Sequence, residues 1–156
     1  MTVNFLSAES KFPTVLFICT GNTCRSPMAE YCFREMVSGS SAESISAGLH
    51  AFDGEAMSIN SLAALAEEGI DGRAFRSRSV TRDLVEKSSL IITMTASHKA
   101  ELLMRYPEAA EKAHTLLEKS GGDLPDPFGQ NLTVYRKTLQ IIKDALIEWK
   151  NICYNN

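Results

Sequence analysis

Residues 15–30, "VLFICTGNTCRSPMAE", restrict the possible folds more than any other stretch of this chain. A continuous apolar run, "TVLFI", ends at Cys19. A run that short and that uniformly apolar suits a strand buried on both faces. From Ser26 onward the pattern changes. Apolar pairs recur four apart, at Met28 and Ala29, Cys32 and Phe33, Met36 and Val37, which is one stripe of a helix. Gly39 follows as a stop. A strand buried on both faces, feeding directly into a helix, belongs in a parallel sheet with helices packed above and below.

The rest of the chain repeats that alternation. "ESISAG" reads as a second strand, and residues 58–68 as a helix with Leu62, Leu65 and Ala66 inward and Gly69 as terminator. A short helix is expected over 81–87, a third strand at "LIITM" and a helix over 98–105. A fourth strand is expected at "AHTLL". A long helix over about 132–151 carries Tyr135, Leu139, Ile142, Ala145, Leu146 and Trp149 at helical spacing. The expected architecture is one three-layer α/β domain over residues 14–156, a four-stranded parallel sheet with helices on both faces. Residues 1–13 read as a loose leader.

With 156 residues the chain fits one domain. Its 16 basic and 19 acidic residues leave a net charge of −3, which argues against nucleic acid as a partner. No apolar run approaches the roughly 18 residues that span a bilayer, so no membrane association is expected. The first 13 residues hold a single base, Lys11, and no apolar signal-peptide core, so the expected location is cytoplasmic. The four cysteines, Cys19, Cys24, Cys32 and Cys153, suit neither a disulfide framework nor zinc spacing. Two readings stay open for Cys19: a small buried hydrophobe, or a reactive thiol.

The loop between the first strand and helix favours the second. A helix N-terminus presents unpaired N–H groups and a partial positive charge. Around it, Thr20, Gly21, Asn22, Thr23, Cys24 and Ser26 can curl into an anion cradle, with Gly21 supplying conformational freedom and Asn22 tolerating positive φ. Arg25 can fork onto two phosphoryl oxygens. Cys19 stands at the head of the cradle, where the same field favours its thiolate. Ser26 can donate to that sulfur, and Pro27 suits a first helical turn. One geometry would bind a phosphoryl group and attack it. Cys24, so close by, would guard Cys19 through a reversible disulfide, or simply pack under the loop.

"CTGNTCRSPMAE" resembles the phosphate-binding loop of the low-molecular-weight protein tyrosine phosphatase family. The likeness extends over residues 14 to about 150 and includes "SAG" at 46–48, "RSRSVT" and "DPFG" at 126–129. The resemblance implies a four-stranded parallel sheet, a phosphocysteine intermediate on Cys19, and Asp126 as the general acid, preferred over Asp123. It implies no metal and no cofactor, because the loop and Arg25 supply the positive charge, and a phosphorylated protein as substrate. Thr23 and Phe128 occupy positions where tyrosine-specific relatives usually carry an aliphatic residue and a tyrosine. That pair is similar to the protein arginine phosphatase branch, with phosphotyrosine as the alternative substrate. Arsenate reduction would need a further cysteine pair on a mobile segment, and residues 60–120 contain no cysteine. A non-catalytic phosphate-binding module would have no use for both Cys19 and Asp126. Phe75 stands where the family often has a histidine supporting the loop asparagine, so Asn22 is expected to turn to Ser46 or Ser26.

Overall fold

The computed structural model describes residues 10–154. Four strands, β1 (Thr14–Cys19), β2 (Glu43–Gly48), β3 (Leu90–Thr93) and β4 (Ala113–Thr115), form one parallel sheet in the order β2-β1-β3-β4. Between and after them run α1 (Arg25–Met36), α2 (Ile59–Glu67), α3 (Arg82–Lys87), α4 (Ala96–Arg105) and α5 (Leu132–Tyr154). A single 3₁₀ turn, Pro107–Ala109, precedes β4. The expected α/β sheet with helices on both faces is what forms.

The apolar run of β1 explains its central place. Val15 through Cys19 are each at most 3% exposed. Val15, Phe17 and Cys19 join a core with Met28 and Phe33 of α1, Leu65 of α2 and Leu139, Ile142 and Leu146 of α5. Leu16 and Ile18 point the other way, into a smaller core with Leu84 and Val85 of α3 and Leu102 of α4. The period of two along a strand thus distributes one continuous apolar run between two helical layers.

Several boundaries differ from the sequence reading. α4 starts at Ala96 because Thr95 caps it, accepting from the His98 N–H at 3.1 Å. Thr81 caps α3 in the same way rather than belonging to it. β4 ends at Thr115, and Leu116 turns into the core. Ala66 is exposed, and the buried residues of α2 are Ser61, Ala64 and Leu65. α5 runs on to Tyr154, past the expected end near 151, and Cys153 is fully buried.

The first nine residues of the expected leader lie outside the described residues. Further along, Phe12 packs against the core, the Lys11 N–H reaches the Cys153 carbonyl at 2.9 Å, and the Pro13 carbonyl accepts from Glu43 N–H at 2.7 Å.

β1 has β2 on one side and β3 on the other, so successive crossovers leave it in opposite directions. The crevice beyond the carboxyl ends of β1 and β3 is where open α/β sheets bind ligands. Cys19 is the last residue of β1.

Candidate active site

The β1–α1 loop encloses a cavity of about 460 Å³ lined by Cys19, Thr20, Gly21, Asn22, Thr23, Cys24 and Arg25, with Asp126 and Phe128 opposite. The structure therefore brings the predicted residues together; all of them line the cavity except Ser26, which is fully buried beneath the loop. The loop's carbonyls are tied outward. Thr20 O accepts from His50 N–H at 2.9 Å, and Thr23 O from Ser58 N–H at 2.9 Å. Among the described residues, the N–H groups of Thr20 to Cys24 give no hydrogen bond to a main-chain carbonyl. α1 begins at Arg25 with Cys24 in the cap position, no side-chain cap and no acidic residue in its first turn. Its positive end is thus left undiluted for an anion.

The sharp turn falls at Asn22, with φ of 57°, the one non-glycine residue at positive φ among those described. Gly21, expected to supply that freedom, is not in the left-handed region, and a Cβ there would meet nothing closer than 3.9 Å. Asn22 can take the turn because its side chain is fully bonded. Its Nδ2 donates to Ser26 Oγ and to Ser46 Oγ, both at 2.9 Å, and its Oδ1 accepts from Arg78 N–H at 3.0 Å. Those are the partners expected in the absence of a histidine. Phe75 itself is buried, edge-on to Tyr31.

Cys19 Sγ lies 2.9 Å from Ser26 Oγ and is 3% exposed. Burial pushes its thiol up. The Ser26 hydroxyl and N–H, the Arg25 guanidinium and the Asn22 N–H all pull it down. Arg25 is 5% exposed and held by two groups from the late loop: its Nη1 donates to Leu124 O at 3.0 Å, and its Nη2 is 3.6 Å from Asp126 Oδ2. That loop is pinned to the sheet by Leu124 N–H on Met94 O at 3.1 Å and to α2 by Asn60 Nδ2 on Gln130 O at 3.2 Å. Asp126 itself is half exposed and accepts from Phe128 N–H at 3.1 Å. Asp123 faces elsewhere, taking the Ala96 N–H at the start of α4 at 2.7 Å.

Cys24 Sγ sits under the loop, 3.3 Å from Tyr135 Oη and 3.4 Å from Ser58 Oγ. Burial and this contact with Cys24 push the Tyr135 phenol up to about 12. Thr23 Oγ1 has a single long contact, 3.9 Å to Cys24 Sγ, among the described residues.

Sequence reasoning missed His50, Phe52 and Glu55, which complete the wall from the β2–α2 segment. It also missed His98, whose Nε2 meets Thr20 Oγ1 at 2.8 Å. Burial, and then Arg25, lower the His98 imidazole to about 4, so it is neutral at pH 7. No periodicity marks these positions; the nearest signal is "SAG", which leads into the His50 segment. Among the described residues, no group of three or more His, Cys, Asp or Glu side chains is placed to hold a metal ion.

The sequence pattern of the low molecular weight phosphotyrosine protein phosphatases matches residues 14–154. A protein-arginine-phosphatase from Geobacillus stearothermophilus is 37% identical over 140 residues, covering 86% of this chain and 93% of the relative. Among solved structures, a low molecular weight protein tyrosine phosphatase from T. tengcongensis superposes with a TM-score of 0.87 and 38% identity, over 89% of this chain and 98% of that one. A variant of the arginine phosphatase YwlE with a phosphorylated active-site serine gives a TM-score of 0.85 and 30% identity, over 89% and 94%. A cysteine-headed anion loop on this sheet, matched along almost its whole length, places the chain in the low molecular weight phosphotyrosine protein phosphatase family, whose members are cysteine-based protein phosphatases.

Proposed function

We propose that this phosphatase removes the phosphoryl group from phosphoarginine in cytoplasmic proteins, with Cys19 as nucleophile. The Cys19 thiolate attacks phosphorus while the loop N–H groups and Arg25 hold the non-bridging oxygens. The bond from phosphorus to the guanidinium nitrogen breaks, and Asp126, protonated, gives its proton to that nitrogen. A phosphocysteine remains. Asp126, now a carboxylate, takes a proton from water, and the hydroxide attacks phosphorus. Inorganic phosphate leaves and the Cys19 thiolate returns. The phosphorylated active-site serine in the YwlE variant supports an intermediate on the residue at the head of the loop.

The observation that carries the substrate reading is Thr23. Its hydroxyl lines the cavity with lone pairs uncommitted to any oxygen or nitrogen among the described residues. A guanidinium has N–H donors to spend on such an acceptor, and a phenyl ring has none. Phe52 and Phe128, 75% and 73% exposed, offer ring faces at the mouth, and Glu55 adds a carboxylate. Aromatic faces with nearby negative charge suit a planar cation.

The test is a side-by-side assay of phosphoarginine and phosphotyrosine peptides with the wild type and Thr23→Ile. Leaving a guanidinium donor unmet in the site costs about 1–3 kcal/mol, a factor of about 5 to 150 in kcat/KM. The arginine-to-tyrosine ratio should fall by about tenfold or more. A wild type that already prefers phosphotyrosine, or a ratio that does not move in Thr23→Ile, would replace this reading with a tyrosine phosphatase. Cys19→Ser should abolish turnover on either substrate.

A further inference from the structure

The segment "RSRSVT", residues 76–81, has no part in the chemistry above, yet it holds one wall of the cavity in place. Ser77 is 3% exposed and is bonded to the turn after β2 through main chain and side chain alike. Its N–H donates to Glu55 O at 2.8 Å, and its carbonyl accepts from Gly54 N–H at 2.8 Å. Its hydroxyl donates to Phe52 O at 2.5 Å and accepts from Glu55 N–H at 2.9 Å. Two residues on, Ser79 Oγ donates to Ala51 O at 2.9 Å, and Ser79 N–H to Asp53 Oδ1 at 2.8 Å. Residues 51–55 are thus pinned along their length, and Gly54, at φ of 89°, lets the turn close.

Glu55 is carried at the end of this pinned turn and lines the cavity. The other ionic side chains of the lining have partners. Arg25 and Asp126 meet at 3.6 Å, and His50 Nε2 is 2.9 Å from Glu101 Oε2. The Glu55 carboxylate takes no hydrogen bond and forms no ion pair among the described residues. A bare carboxylate opposes the binding of a phosphoryl group, which brings about two negative charges of its own at neutral pH. It becomes favourable only when the substrate also carries positive charge beside the phosphorus. The guanidinium of phosphoarginine supplies that charge, and the ring of phosphotyrosine is neutral. One group that attracts the first and repels the second widens the preference from both sides.

We propose that Glu55 is a specificity-determining residue: its unpaired carboxylate, held at the cavity mouth by the Ser77 clamp, selects phosphorylated side chains that carry positive charge and turns away neutral phosphoaryl groups. This rests on the phosphoarginine reading and adds a second, independent reader of the substrate. Thr23 answers the N–H donors of the guanidinium, and Glu55 answers its charge.

The test measures kcat and KM for N-acetyl phosphoarginine amide and N-acetyl phosphotyrosine amide, which carry no further charge. The variants are Glu55→Gln, Glu55→Lys and Glu86→Gln. Glu86 is exposed on α3 and does not line the cavity, so Glu86→Gln makes the same change in net charge elsewhere. At low salt, Glu55→Gln should lower kcat/KM for the phosphoarginine amide about threefold and raise it for the phosphotyrosine amide about threefold, the scale of an exposed ion pair. Their ratio then falls about tenfold. Both changes should lie in KM, with kcat within about twofold, because Glu55 does not reach the reacting atoms. Glu55→Lys should move both substrates further in the same directions. In about 0.5 M sodium chloride the effect of Glu55→Gln on the ratio should shrink to about twofold or less, whereas that of Thr23→Ile should persist, since screening removes charge effects and leaves hydrogen bonds. An unmoved ratio, changes of the same sign on both substrates, or a ratio that Glu86→Gln moves as far overturns the proposal. A phosphotyrosine peptide flanked by arginines separates the two sources of positive charge. If Glu55→Gln slows that peptide and leaves the phosphoarginine amide unchanged, Glu55 reads neighbouring residues and the proposal falls. A wild type that prefers the phosphotyrosine amide would overturn the phosphoarginine reading instead, whatever Glu55→Gln does to the ratio.

Discussion

At Asp126, the proposed general acid, the geometry gives one side chain a contact with Arg25 and an open side. Its Oδ2 lies 3.6 Å from the Arg25 guanidinium, yet the side chain is half exposed, free to meet a leaving group at the mouth. Asp126→Ala should therefore lower kcat by a factor of about 10² or more for leaving groups that need a proton. The loss should shrink for aryl phosphates whose leaving group departs unaided. A series of substituted phenyl phosphates reads this directly, and an equal loss across the series would assign the acid elsewhere. The preference for Asp126 over Asp123 rests on the proline that follows Asp126, and Asp126 is the one of the two that lines the cavity. What Asp123 does instead, accepting from Ala96 N–H, depends on where α4 starts, and nothing in the residues around 123 announces that. Thr23, Cys24 and Arg25 were legible because they share one short segment with Cys19. His50, Phe52 and Glu55 were not, since they arrive from a segment whose local pattern says strand end or turn and nothing more.

Among the elements, β2 and the β1–α1 loop meet most closely at Gly48. A Cβ there would stand 2.5 Å from Thr20 O, 2.8 Å from Ala51 Cβ and 3.1 Å from Asn22 Cβ. Its N–H and carbonyl are also committed, to Arg78 O and Val80 N–H at 2.9 Å each. The strand end cannot retreat, so Gly48→Ala must push the loop. Overpacking of this kind typically costs about 1–3 kcal/mol. The expected outcome is a lower denaturation midpoint together with weaker phosphate inhibition, both measured on the purified variant. A loss of stability with phosphate binding intact would mean that the loop does not yield. The strands and helices themselves were readable because their apolar spacing is what buries them. The errors have the same origin. Ala66 satisfies a helical stripe, but the side chains that α2 buries are Ser61, Ala64 and Leu65. Cys153 lies past the expected helix end near 151, yet α5 is long enough to carry it into the core, where burial pushes its thiol up to about 11, as it does Cys32 to about 12. Neither lines the loop cavity as Cys19 does, so both should resist alkylation that reaches Cys19.

Over the whole molecule, acid should act on stability through His98. Its imidazole falls from 6.5 to about 4 on folding, and it is 8% exposed. Between those values the unfolded chain binds a proton that the folded chain refuses, so stability rises with pH across the window and is lost as pH drops from about 6.5 towards 4. The full difference is roughly 3 kcal/mol. Urea denaturation at several pH values should show His98→Gln losing less stability on acidification than the wild type. Parallel curves would mean that His98 adapts when protonated, for example by breaking its contact with Thr20. The tertiary arrangement also divides the site in two. Cys19, Asn22 and Ser26 are rooted in the most deeply buried strand and its neighbours, whereas Phe52, Glu55 and Phe128 stand on surface turns and touch little of the core. The rim residues can therefore vary apart from the buried nucleophile and its supports, while Thr23 ties part of the substrate choice to the loop itself. A shared scaffold that includes relatives named for arginine and for tyrosine is what such modularity would leave behind.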